Sequence, residues 1–355
     1  MKKSQAGFGL VELMISITLG LLLSAAVIQV YLASSTTSRV QDSLAQIQEN
    51  ARFALSFMGR EIRVAGHMGC NSLLKLPLDD PNNVATNKTI NTVALPAPGF
   101  DETTMVVGQD NVDAGNALGA LAGTDTIMVQ RASDEFIRIT GNLPGSNAHI
   151  AIEDNSLDLV ECDYAMATDC TDADIFRVSN SPKESGEGQT SLVHGAAANR
   201  NSSATLSKIY TGDAEVFGFE TLNFFVRDTG RVNSAGEAIN ALYFTRRQAG
   251  SGGVTSAATE LVEGVESLQI TYGVDTDDDH SIDAYQSAAD VADWTFVQSV
   301  KVEMVMVGNE PNVVGEDGDA DAQVVVDADG NNIANNDGRM RAVFTNVFTL
   351  RNKVQ

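Results

Sequence analysis

The side chains best grouped to do chemistry lie between Asp275 and Asp283, in the run DTDDDHSID. Asp275, Asp277, Asp279, Ser281 and Asp283 alternate along it. In calcium loops, oxygens at positions 1, 3 and 5 face a hard cation, and Asp283 falls at position nine of such a loop. The run departs from that pattern twice. His280 stands where a central glycine belongs, and Gln286 stands where a bidentate acid belongs. Bound calcium would relieve the mutual repulsion of the acids. A solvated acidic turn of a hairpin explains the same residues without a metal. The acids between Asp317 and Asp321, and between Asp327 and Asp337, are weaker candidates of the same kind.

The other reactive side chains are dispersed. The three cysteines are Cys70, Cys162 and Cys170. A zinc site wants four ligands at close spacing, and His67, His149, His194 and His280 are scattered. A Cys162–Cys170 disulfide closing a small acidic loop is the preferred reading for an oxidising compartment, leaving Cys70 free and buried. Cys70 replacing either partner stays open, because three cysteines allow three single pairings. The sequence has no G-x-S-x-G, P-loop or H-E-x-x-H motif, and no glycine fingerprint after a strand. We therefore expect a protein that is not an enzyme, with no catalytic residues.

The element that must position everything else is the N-terminal segment. After two lysines and Gly7 and Phe8, the chain is apolar but for one acid, Glu12. Leu13 to Ala33 spans 21 residues without a charged side chain, enough for one helix to cross the hydrocarbon of a bilayer. The lysines favour a cytoplasmic N-terminus, with the rest of the chain across the membrane. A cleaved secretory signal fits poorly. The apolar run is longer than a typical h-region, and it has no clear small-x-small cleavage site followed by a composition break; a match such as that near Ala25 lies inside the run. Beyond Ala33 the pattern turns amphipathic, with Val40, Leu44, Ile47, Ala51, Leu55, Met58 and Ile62 on one face. Arg39, Asp42, Glu49, Arg52, Arg60 and Glu61 are assigned to other faces. One helix is predicted from about Phe8 to about Ala65, ended by Gly66 and roughly 85 Å long at 1.5 Å per residue. Its second half needs a partner, and a sheet of its own head is the natural one.

The segment AGFGLVEL resembles the signal of class III prepilins, the type IV pilin-like proteins. That resemblance implies cleavage after Gly7 by a membrane prepilin peptidase and methylation of the new Phe8 amine. It also implies that Glu12, at mature position five, pairs with the N-terminal amine of a neighbouring subunit in the fibre. REIRVAGHMGC, from Arg60 to Cys70, resembles the end of the long helix in PilW-type minor pilins. LVEGVESLQITYGVDTDDDHSIDAY, DWTFVQSVKVEMVMV and RAVFTNVFTLRN resemble the same family. The resemblance covers roughly Gly7 to Cys70 and Thr259 to Asn352. It implies a minor pilin that joins other minor pilins and the major pilin. In that role it primes assembly at the inner-membrane platform and sits beneath an adhesin-like tip protein. The acidic stretch from Asn309 to Gly338 departs from the family and is expected to be a solvent-exposed insertion.

Between these ends the chain reads as β-rich. Strands are expected at Thr89 to Leu95, Thr104 to Val107, Thr124 to Arg131, Glu135 to Thr140, Asp158 to Glu161 and Ile175 to Val178. Further strands are expected at Ser207 to Tyr210, Val216 to Arg227, Ala241 to Arg246, within Thr259 to Tyr272, within Thr295 to Val307 and at Arg341 to Arg351. Asp163 to Asp174 reads as an acidic surface loop, and Trp294 as a core or interface anchor. The net charge of −24, with 47 acids against 23 Lys and Arg, leaves no basic run for phosphates and argues against a nucleic-acid partner.

The fold class expected is therefore α+β and pilin-like, a long helix packed on an antiparallel sheet. The organisation expected is a cleaved cytoplasmic leader over 1–7, a transmembrane and assembly half-helix over 8–33, an amphipathic half-helix over 34–66 and a periplasmic head over 67–355. The chain would be single-pass in the inner membrane and then part of the fibre. A minor pseudopilin of a type II secretion system is the nearest rival reading. A membrane-anchored calcium-binding adhesin or exported enzyme is the rival from another class.

Overall fold

The computed structural model describes residues 9–69, 71–72, 88–90, 103–142, 149–182, 190–196, 201, 204–277, 279, 281–315, 323–326, 330, 332–333 and 337–352. Gly7, Phe8, Cys70 and His280 lie outside the described residues.

A single α-helix, α1, runs unbroken over Leu10–Arg63, 54 residues. No proline interrupts it, and Gly66, at φ 72, turns the chain away after it as the sequence predicts. Its two halves meet different surroundings. From Leu10 to Arg39 every residue is exposed, whereas Ser43, Ile47, Ala51, Ala54, Leu55, Met58, Glu61 and Ile62 are buried. The predicted amphipathic stripe is therefore present, and it faces the head.

The strands in chain order are β1 (His67–Met68), β2 (Asn71–Ser72), β3 (Lys88–Ile90), β4 (Val106–Gln109), β5 (Thr126–Asn142) and β6 (His149–Ile152). Then come β7 (Tyr164–Thr168), β8 (Ala173–Arg177), β9 (Thr190–Val193), β10 (Glu215–Val232), β11 (Ala238–Arg247) and β12 (Thr259–Glu263). The last are β13 (Val265–Val274), β14 (Ala284–Gln286), β15 (Val297–Val307), β16 (Val325–Val326), β17 (Asn332–Ile333) and β18 (Arg341–Thr349). One large sheet carries the order β3-β8-β7-β10-β5-β6-β9, with β4 beside β5, and β11 followed by β12 beside β10. Its pairings are antiparallel except β3 with β8. A second, four-stranded antiparallel sheet has the order β14-β13-β15-β18.

The sequence suggests one sheet; the described residues form these two larger sheets and two two-stranded ones, β1-β2 and β16-β17, and a glycine marks the crossing between the larger two. Gly264 separates β12, in the large sheet, from β13, in the small one. It adopts φ +80, and a Cβ there would lie 2.6 Å from the Val307 carbonyl oxygen. A side chain is excluded at this crossing twice over, by conformation and by space. The helix rests on β18, β15 and β12, so it covers the small sheet and one edge of the large one. The principal core joins Ile47, Met58 and Ile62 of α1 to Leu268, Ile270 and Tyr272 of β13 and to Val300, Val302, Met304 and Met306 of β15. The far part of the large sheet builds a separate core around Ile139, Ile152, Phe176 and Tyr210.

Several expected strands change. Thr124 to Arg131 and Glu135 to Thr140 are one strand, β5, with a register shift opposite Phe217 and Phe219 of β10. Asp158 to Glu161 is irregular chain and turn, with Asp158 at φ 53, and Ser207 to Tyr210 is not a strand. The predicted acidic surface loop, Asp163 to Asp174, is the largest correction. It contains β7, buried at every residue, and the start of β8. Asp163, Asp172 and Asp174 are buried, and half-buried Asp169 is paired with Lys208. Asp163 takes the N–H groups of Val160, Gly250 and Gly253, and Asp174 takes Ser207 and the Tyr210 hydroxyl. The acidic insertion is not wholly exposed either. Val313 and Val325 are buried, and Asp337 grips the Arg341 guanidinium through both oxygens, at 2.7 and 2.8 Å.

Candidate functional site

The predicted functional residues fall in three places. Glu12 sits in the first turn of α1, on the exposed apolar half. This half includes Leu13, Ile17, Leu21 and Ile28, none of which touches the head closely enough to be covered. By length and composition it can cross a membrane, which fits a single-pass, membrane-anchored architecture. Ser16 and Thr18 donate to helix carbonyls at Glu12, Met14 and Ile15, which satisfies their hydroxyls where no water is available.

The second place is the seat of the helix, and sequence reasoning missed its central residue. Glu61 is not on a polar face. Its side chain is 1% exposed, and its Oε2 accepts from Arg131 Nε of β5 at 3.0 Å. Arg131, itself 5% exposed, donates to Asp134 at 2.7 Å and lies 3.3 Å from Glu220 of β10. The other oxygen, Oε1, accepts from Arg60 at 3.0 Å and faces Arg246 of β11 at 3.8 Å. Removing two charges from water is costly, and this geometry recovers the cost only while both are present. The spacing carried a signal. Ala54, Met58, Glu61 and Ala65 recur at four, three and four, so Glu61 lies on the apolar stripe. Around it, Gly66 N–H donates to the Gln130 carbonyl at 2.8 Å, and Asn352 Nδ2 donates to the Ala65 carbonyl at 2.7 Å. Gly59 lets the Phe348 ring press onto the helix; a Cβ there would stand 2.2 Å from Phe348 Cε1.

The third place is the acidic run. Asp275, Asp277 and Asp283 bring one carboxylate oxygen each within 4.8 Å of the others. These three could hold a divalent cation. Asp279 is not among the three; its Oδ1 accepts the Ser281 N–H at 2.8 Å, closing a local turn. Asp275 is buried and hydrogen-bonded by Gln298, while Asp283 accepts from the Thr276 N–H and hydroxyl. The Thr276 hydroxyl and N–H hold the Asp283 carboxyl below its usual range, and the neighbouring Asp279 carboxylate pushes Asp277 up. Of the weaker candidates, the run from Asp317 to Asp321 lies outside the described residues, and Asp337 is committed to Arg341.

The preferred disulfide is not formed. Cys162 is a free thiol, whereas Cys170 is disulfide-bonded. The reason is geometric. Cys162 precedes β7 and Cys170 follows it, so a five-residue extended strand separates them. At roughly 3.3 Å per residue this distance exceeds the Cα separation of about 4.4–6.8 Å that a disulfide tolerates. Of the histidines, His194 is fully buried beside Phe176, with ring centroids 5.0 Å apart, and burial pushes it down to about 4. Trp294 packs edge-on against Tyr272 at 4.7 Å, the anchoring role expected of it.

An exposed apolar half-helix continuous with a half seated on a β-rich head defines the class: a pilin-like α+β protein. Two family models match the chain. The prokaryotic N-terminal methylation motif matches residues 2–28, and the family described as Type IV Pilus-assembly protein W matches residues 224–352. From Leu10 on, the first falls on the exposed half of α1, and the second runs from within β10 to just past the end of the small sheet. The two matches support identification as a PilW-type minor pilin. No curated protein and no solved structure matches the chain. The structural, non-catalytic reading now rests on the assembly family that the chain matches.

Proposed function

We propose that this minor pilin helps to initiate type IV pilus assembly and links the shaft to the tip complex. The observation that carries the reading is the split of α1: an apolar half left uncovered by its own head, joined rigidly to a half that the head covers. In the membrane the uncovered half is an anchor. In a fibre it packs among like helices, which buries the same surface without lipid. The leader over 1–7 is removed at Gly7, and Phe8 becomes the methylated first residue, through the prepilin peptidase. Glu12 then pairs with the N-terminal amine of a neighbouring subunit. A charge in apolar packing is costly alone and is offset by that partner, so the pair sets axial register. The head, residues 67–355, would lie in the periplasm. Its partners would be other minor pilins, the major pilin, the inner-membrane assembly platform and a tip adhesin-like protein.

Calcium at Asp275, Asp277 and Asp283 belongs to the same proposal as a stabiliser of the β13–β14 turn. Calorimetric titration of the mature chain with calcium tests it; a silent titration rejects it. For the assembly role, Glu12→Ala should leave processing intact and reduce recovery of this subunit in sheared fibres. Unchanged recovery with unchanged pilus number contradicts the pairing.

A further inference from the structure

The four-stranded sheet has two edges, and they are finished differently. At the β13 edge the outward backbone groups are closed. Asp125 N–H donates to the Leu268 carbonyl at 2.9 Å, the Asp125 carboxylate accepts the Ile270 N–H at 2.7 Å, and β14 covers Tyr272 to Val274. The other edge is β18. Leu350 N–H donates to the Gln298 carbonyl and Gly308 N–H to the Met340 carbonyl, each at 2.8 Å. Bonded pairs alternate along an antiparallel ladder, and the β15–β18 register runs from Arg341 to Thr349 without a shift. Ala342, Phe344, Asn346 and Phe348 therefore turn their N–H and C=O groups to β15, and Arg341, Val343, Thr345, Val347 and Thr349 turn theirs away.

Both ends of that outward row are capped. Gln323 closes Arg341: its Oε1 accepts the Arg341 N–H and its Nε2 donates to the Arg341 carbonyl, both at 2.9 Å. At the far end Arg351 N–H donates to the Arg63 carbonyl of α1 at 3.1 Å. Between the caps, the outward groups of Val343, Thr345, Val347 and Thr349 bond no described residue. Folded proteins guard an open edge with charge, proline or a bulge. From Ala342 to Leu350 there is no charged residue, no proline and no bulge, and Thr345, Asn346, Val347 and Thr349 are exposed. By contrast β12, paired only with β11 in the large sheet, carries Glu260, Glu263 and a register shift.

Unpaired N–H and C=O groups on every second residue, over about 20 Å, match extended chain and not a helix, whose backbone bonds are internal. The direction of that chain follows from α1. Gly308, bonded to Met340 at the start of β18, lies against Ser43, and the end of β18 lies by Gly59 and Arg63. So β18 runs alongside α1, away from its apolar half. Two copies joined antiparallel through β18 would point their apolar half-helices in opposite directions, which neither one membrane nor one fibre core accepts. We infer that β18 receives an extended strand of about five to seven residues from a different, neighbouring subunit of the pilus, antiparallel to β18 as in the rest of this sheet. Val343, Thr345 and Val347 on one face favour β-branched residues opposite them. The inference rests on the assembly reading above, which supplies the neighbour.

The test places a photoreactive amino acid at Val343 or at Thr349 of the full chain, in cells, and maps the crosslinked peptides by mass. Both positions should capture one segment of another pilus subunit. The captured residue should move back by about six when the probe moves from Val343 to Thr349. No capture, one captured residue from both probes, movement in the forward direction, or capture of a second copy of this chain overturns the inference. Thr345→Pro removes an outward N–H and leaves the β15 ladder whole. Its melting midpoint should stay near wild type, while its recovery in sheared fibres falls about tenfold. Asn346→Pro removes a ladder bond and should destabilise the head instead. If Thr345→Pro fails to fold, the crosslinking pair still decides. Full recovery of a folded Thr345→Pro alongside loss of Glu12→Ala rejects the added strand and leaves the assembly reading standing. Full recovery of both removes the assembly reading and, with it, the neighbour.

Discussion

The two halves of α1 have one backbone and opposite dependencies. From Ser43 to Ile62 the helix is held by its own head through Ile47, Met58, Ile62 and the Glu61–Arg131 pair. From Leu10 to Ala33 nothing in the head covers it, although its side chains are the more apolar. The contrast teaches that hydrophobicity alone does not locate a protein's core. The half with mixed residues folds onto the head, and the wholly apolar half is left for another solvent or another chain. An acid marks each half, Glu12 in one and Glu61 in the other. Among the described residues, Glu61 has a counter-charge in Arg131 and Glu12 has none.

The sharpest way to break that contrast is to remove the two acids separately. Glu61→Ala leaves buried Arg131 without the most buried of its carboxylate partners, and should cost about 3–5 kcal/mol in chemical denaturation of the micelle-bound chain. Glu12→Ala should leave the same midpoint unchanged. A glycine pair gives a smaller effect with the same logic. Gly59→Ala drives a methyl into the buried Phe348 ring and should lose about 1–3 kcal/mol, despite the better helix propensity of alanine. Gly20→Ala, with no atom within 4 Å, should be neutral or slightly stabilising.

A pH effect away from the helix serves as the control. Burial holds His194 down at about 4, against about 6.5 for an unburied histidine. The unfolded chain then binds the extra proton first, so stability is full above about 6.5 and falls as pH drops toward 4. Burial pushes Asp125 the other way, up to about 6, so its contribution is full at low pH and is lost as pH rises toward 6. His194→Phe should therefore flatten the acid-side loss measured in wild type between pH 7 and 5, with Asp125 common to both chains. An unchanged slope would show that His194 is not the titrating group. The smallest expected change is chemical. Iodoacetamide under non-reducing conditions should label Cys162 and spare Cys170, read by peptide mass.

How much of this was legible follows from what periodicity can report. The helix, its split at about Ala33 and its end at Gly66 are written in residue type and spacing, and so is the alternation of Val300, Val302, Met304 and Met306. Glu61 was misplaced because its charge was read before its spacing. The β7–β8 hairpin was misplaced for the same reason: Asp163 and Asp174 signalled solvent, yet each is a buried acceptor of several donors. The partition into two sheets at Gly264 depends on the approach of Val307, far along the chain, which no local pattern contains. Of the calcium-like run, spacing found Asp275, Asp277 and Asp283 but could not tell that Asp279 turns to its own neighbour.

The account stands on the uncovered half of α1 being kept by the mature protein. Intact-mass and N-terminal peptide measurement of the chain extracted from the inner membrane addresses that point most directly. A mature chain that begins at N-methylated Phe8 is the expected result. A chain found free in the periplasm, with a first residue beyond Ala33, would contradict it.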